Sequence, residues 1–104
     1  MALFERIRLT HGHFSALWPS SIEPGTEIAG LDLQLADAEI AGWVSRRTSL
    51  SDAEREELED RCRRMEVVLP SIPADAQPYF ERLARLGRLA LGPRGAHRRK
   101  MWRG

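Results

Sequence analysis

The sequence predicts a mainly α protein: a small helical bundle built on an antiparallel helical hairpin, with room for a short N-terminal β-hairpin and an α+β class as the alternative. Three observations carry this. Ser51 to Leu69 reads as a helix specified at both ends. Residues from about 76 to 91 form a second amphipathic helix, closed by Gly92-Pro93. Only Pro70-Ser71-Ile72-Pro73 and a few residues join them, and two long helices on a short connector return antiparallel.

The first fifty residues carry the weakest patterns. Arg6 and Arg8 alternate with Ile7 and Leu9 in Phe4–Thr10, as in a half-buried strand; a short helix over Leu3, Phe4 and Ile7 fits nearly as well. His11-Gly12-His13 reads as a turn. Phe14 to Trp18 then runs into Pro19, and Pro19 to Thr26 reads as a loop from its prolines, serines and glycine. Leu31, Leu33 and Leu35 alternate with Asp32 and Gln34, a second strand that would pair with the first and lie on the helices, since a lone hairpin is marginal in water. The competing reading is one helix from Leu31 to Arg47, with Leu31 and Leu35 facing away from Ala36, Ile40, Trp43, Val44 and Arg47. The preferred reading is a strand followed by a helix from about Asp37 to Arg47.

Arg46 to Leu50 leads into the central helix. Ser51 and Glu54 have capping-box spacing, and Pro70 stops the segment because proline disfavours α geometry in the residue before it. Leu58, Cys62, Met65 and Leu69 form a narrow apolar seam at helical spacing. Acids crowd the first half of the helix and arginines the second, matching its macrodipole. Glu57–Arg61, Glu59–Arg63 and Asp60–Arg64 are acid-first i,i+4 pairs, each worth roughly 0.2–0.5 kcal/mol. After an extended Ile72, Asp75 or Gln77 opens the last helix, with Pro78 tolerated in its first turn. Phe80, Leu83, Ala84, Gly87, Ala90 and Leu91 form its broad apolar face, and Ala84 and Gly87 would permit close packing. Glu81, Arg82, Arg85 and Arg88 lie opposite.

Composition bounds the function. A chain of 104 residues with 42% hydrophobic and 30% charged residues is expected to form one soluble domain. It holds no run of membrane-spanning length. Charges within the first apolar turn, MALFERIRL, do not fit a secretory signal. Cys62 is the single cysteine, expected to act as a small buried hydrophobe. These features together suggest a cytoplasmic protein. One lysine (Lys100) and no asparagine suggest a GC-rich bacterial genome. Of the 16 basic residues, five lie in 93–104, which holds no acid; the other 11 face all 15 acids, a net charge of −4 for residues 1–92. The chain therefore divides into a helical domain, 1–92, and a basic tail, 93–104, expected to be disordered.

Catalytic and metal signatures are missing. The sequence has no nucleophile elbow, P-loop, dinucleotide fingerprint or zincin motif. His11-Gly12-His13, with Cys62 and His97, matches no structural zinc spacing. No enzyme activity, cofactor, metal or small-molecule substrate is inferred. Two binding readings remain. The first is a small protein-interaction or assembly module, a homodimer or an accessory subunit. Its anchors would be Trp18 and Tyr79, aromatics beside prolines, with Val67 and Leu89, apolar residues on otherwise polar helix faces. The second is a nucleic-acid-associated protein whose tail engages phosphates through Arg94, Arg98, Arg99, Lys100 and Arg103, with Trp102 stacking on a base.

Overall fold

The computed structural model of the chain describes residues 18–92. A β-hairpin, β1 (Glu27–Ile28) and β2 (Leu31–Asp32), leads directly into α1 (Leu33–Ser45); α2 (Asp52–Val68), a 3₁₀ turn (Leu69–Ser71) and α3 (Gln77–Leu91) follow. The described part is thus mainly helical, with one short antiparallel hairpin beside the helices.

The hairpin is not the one the alternation suggested. Glu27 pairs with Asp32 and Ile28 with Leu31, so β2 finds its partner four residues upstream. The Phe4–Thr10 strand lies outside the described residues. Ala29 and Gly30, the two loop residues, both have positive φ, 50° and 80°, as a type I′ turn requires. Gly30 adopts this geometry freely; Ala29 does so against a steric cost of roughly 1–2 kcal/mol.

The predicted strand over Leu31, Leu33 and Leu35 also ends early. The Asp32 carboxylate accepts a hydrogen bond from the Leu35 amide at 2.9 Å, an N-cap that starts the helix at Leu33. Leu33 is then fully buried and Leu35 is 57% exposed, so the alternation that suggested a strand does not describe their environments. With Leu33, the residues Ala36, Ile40, Trp43 and Val44 form the buried face of α1. This helix ends at Ser45, two residues short of the expected limit, because the Arg46 and Arg47 amides turn back tightly onto the Trp43 and Val44 carbonyls at 3.0 and 3.3 Å.

The central helix follows its sequence closely. The Ser51 hydroxyl accepts from the Glu54 amide at 3.1 Å, and a Glu54 carboxylate oxygen accepts from the Ser51 amide at 2.9 Å. Leu58, Cys62 and Met65 are buried as expected, but Val68 rather than Leu69 completes the seam, since the chain tightens into the 3₁₀ turn at Leu69. Ile72 is extended and buried. Gln77 opens α3 with Pro78 in the first turn, and Gly92 closes it at φ +76°. The α3 face is broader than predicted, because Leu86 is buried as well.

α2 and α3 run antiparallel. Arg55, near the start of α2, donates to the carbonyl of Leu91 at the end of α3. Farther along α2, Glu66 grips Arg88 through two bonds of 2.7 and 2.9 Å. α1 is antiparallel to α2, with Glu39 bound to Arg61 and Arg46 to Glu54. The three helices meet at Gly87. A β-carbon there would lie 2.3 Å from Cys62 Sγ, 3.3 Å from a Leu58 methyl and 3.4 Å from an Ile40 methyl. Glycine lets α3 approach both partners at this point.

Candidate interaction groove

The last turns of α2 rise beside the hairpin. Val68 turns into the core, whereas Val67, one residue earlier on the helix, is 71% exposed. Ala29 and Leu31 stand across from them, and Arg63 and Arg64 complete the walls of an open groove of about 160 Å³. The positive-φ turn brings the Gly30 carbonyl within 3.4 Å of Arg64 Nη2, so the hairpin is tied to this end of α2.

The electrostatics are arranged around Asp60. It holds Arg61 and Arg63 at 2.7 Å each and Arg64 at 3.8 Å. Arg61 also donates to Glu39 on α1 at 3.0 Å, and that bond first, with nearby carboxylates, raises the guanidinium's already high pKa. Of the three expected i,i+4 pairs, Asp60–Arg64 is present at the longest of these distances. Arg61 reaches across to α1, and Arg63 takes the carboxylate three residues back. Arg63 and Arg64 keep side-chain exposures of 59% and 41% at the rim of the groove.

The other expected anchors lie elsewhere. Trp18 and Tyr79 come together, ring centroids 5.7 Å apart, and each packs edge-on against the buried Phe80. Their polar tips have partners within the chain: Trp18 Nε1 donates to the Ile22 carbonyl at 2.7 Å and Tyr79 Oη to Asp37 at 2.9 Å. Burial first, and then the Asp37 bond, raises the Tyr79 phenol's pKa above its ordinary value. Both rings are half-buried, and they fasten the loop before the hairpin to the helices. Leu89 is half-buried on α3. Of the four proposed anchors, Val67 alone lines the groove.

Arg94, Arg98, Arg99, Lys100, Trp102 and Arg103 lie outside the described residues, as do His11, His13 and His97. Among the described residues, no group of three or more His, Cys, Asp or Glu side chains is placed to hold a metal ion. Cys62 is fully buried, and burial pushes its thiol up to about 12. Among the described residues, no helix is long and apolar enough to cross a membrane.

Sequence reasoning missed Arg63, Arg64, Ala29 and Leu31 as one site. A signal was present in α2: Val67 lies three and four residues beyond the two arginines, which places all three on one helical face. The hairpin's contribution had no such marker, since its wall comes from more than thirty residues upstream. No family model matches the chain, and no curated protein or solved structure matches it either.

Proposed function

We propose that this chain is a small protein-interaction or assembly module without catalytic chemistry of its own, and that the groove at Val67 is its partner surface. The observation that carries this reading is a β-branched apolar side chain left 71% exposed over an apolar floor, with two arginines at the rim. A small apolar centre bordered by polar groups is the usual anatomy of a protein-binding patch, in which arginine is enriched. The inaccessible Cys62 thiol supports the non-catalytic part, since the thiolate is the reactive species. A homodimer and an accessory subunit of a larger complex both fit, and a bacterial, cytoplasmic setting belongs to the same proposal. Trp18 and Tyr79 become supports of the fold in this reading rather than anchors.

The test compares the full chain with Val67→Asp, each isolated gently from producing cells and measured by light scattering after size exclusion. The proposal predicts a complex heavier than the 11.8 kDa chain that Val67→Asp dissolves while the helical spectrum is kept. A complex that survives the substitution and absorbs strongly at 260 nm would move the function to the basic residues 94–103 and nucleic acid.

A further inference from the structure

The groove's chemistry also specifies the kind of partner, an inference that rests on the groove being a partner surface. We propose that it takes an acidic peptide segment of another protein, which seats one aliphatic side chain beside Val67 and Leu31 and sets a carboxylate on Arg63 and Arg64.

Size sets the first half of this. About 160 Å³ is well below the roughly 300–1,000 Å³ of pockets that enclose a drug-sized ligand, but it suits one branched side chain. Ala29, Leu31, Val67 and Val68 offer that side chain an apolar floor.

Charge sets the second half. Among the described residues, Arg61, Arg63 and Arg64 crowd one aspartate, and of these three arginines Glu39 engages Arg61. This cluster of three guanidinium groups and two carboxylates carries one surplus positive charge. Arg64 is the least committed of the three, with a 3.8 Å approach to Asp60 and a 3.4 Å bond to the Gly30 carbonyl, both long against a usual N–H···O distance of roughly 2.9–3.0 Å. A partner carboxylate would complete this set with charge-assisted bonds beside the apolar floor. Residues 1–92 as a whole carry a net charge of −4. Within residues 1–92 an acidic segment is therefore disfavoured over much of the surface and favoured at this spot, the more distant repulsion being screened beyond about 8–10 Å. A phosphate chain would find the arginines, but it has nothing to place on the apolar floor.

The experiment is an amide-shift titration of the ¹⁵N-labelled full chain. The probe is a blocked ten-residue peptide with one leucine flanked by glutamates; the controls carry glutamines for the glutamates or serine for the leucine. The proposal predicts saturable shifts at Ala29, Leu31, Arg64 and Val67, with at least tenfold weaker binding for either control peptide. Arg64→Gln weakens the probe similarly, and so does Arg63→Gln, which leaves the bond to the hairpin intact. Equal binding of the glutamine peptide, matching shifts from inorganic phosphate at the same ionic strength, or no response at millimolar probe would each overturn the acidic partner. If those failures occur while Val67→Asp still dissolves the native complex, the interaction reading stands and only this inference falls. If Val67→Asp leaves the native complex intact as well, both fall.

Discussion

Replacing Gly87 with alanine places a methyl group where the three helices leave no room. The new β-carbon would sit 2.3 Å from Cys62 Sγ, against an optimal non-bonded separation of roughly 3.5–4.0 Å. Either the sulfur or the α3 backbone must therefore shift by more than about 1 Å. Neither moves easily, because Cys62 is fully buried and the Leu58 and Ile40 methyls close the other sides at 3.3 and 3.4 Å. Overpacking of this kind costs about 1–3 kcal/mol, and alanine's better helix propensity returns about 0.8–1 kcal/mol. With the clash this deep the cost belongs at the upper end, so the net loss is about 1–2 kcal/mol. In a domain of this size that lowers Tm by about 4–16 °C. Urea or thermal unfolding followed by circular dichroism measures it. The stronger check is Cys62→Ala combined with Gly87→Ala, since removing the sulfur frees the space the methyl needs. The double variant should be more stable than the sum of the two single losses by about 1 kcal/mol or more, as expected for residues in direct contact. A neutral Gly87→Ala, or strict additivity, would refute the packing argument.

The remaining predictions concern titration and reactivity. Glu54 has its carboxyl held down at about 2, first by the hydrogen bond from the Ser51 backbone amide and then by Arg46. Its contribution to stability is present above pH 4.5 and is lost as pH falls toward 2. Glu54→Gln should therefore be less stable than the parent chain at pH 7, with the gap closing by about pH 2 in acid-dependent urea melts. For Cys62 the sign is reversed. Burial raises its thiol from 9 to about 12, so its contribution is whole below pH 9 and is lost as pH climbs toward 12, at up to about 1.4 kcal/mol per pH unit. Tyr79 adds a loss of the same sign, so the Cys62 share is the slope that Cys62→Ala removes. Iodoacetamide should label native Cys62 only through unfolding, making the rate rise with urea in step with the unfolded fraction; fast labelling without denaturant would contradict its burial.

Ends and seams were the most legible features, because each is written in neighbouring residues. The Ser51–Glu54 box, the Gly92 cap and the spacing of Leu58, Cys62 and Met65 need only local geometry. Leu31, Leu33 and Leu35 misled because alternation over five residues is a weak signal and one side chain outweighs it. Asp32 caps a helix there, and an Ala29-Gly30 turn supplies a nearer strand partner than the one expected. The arginines of α2 were readable as charged but not as directed. Arg61 binds Glu39 and Arg88 binds Glu66 across helices, and such tertiary choices leave no periodic trace. Gly87 was legible as a site of close approach, though not as the place where all three helices meet. The groove was half-legible, its helical wall written in one face and its other wall set by how the hairpin folds back.

The most direct measurement is site-specific photo-crosslinking in cells that produce the full chain, with a photoreactive residue at position 67 and, as a control, at the exposed Glu57. The account predicts one discrete adduct from position 67, none from position 57, and loss of that adduct when Arg64→Gln is added. The same pattern from both positions, or none from position 67, would contradict the groove as the partner surface.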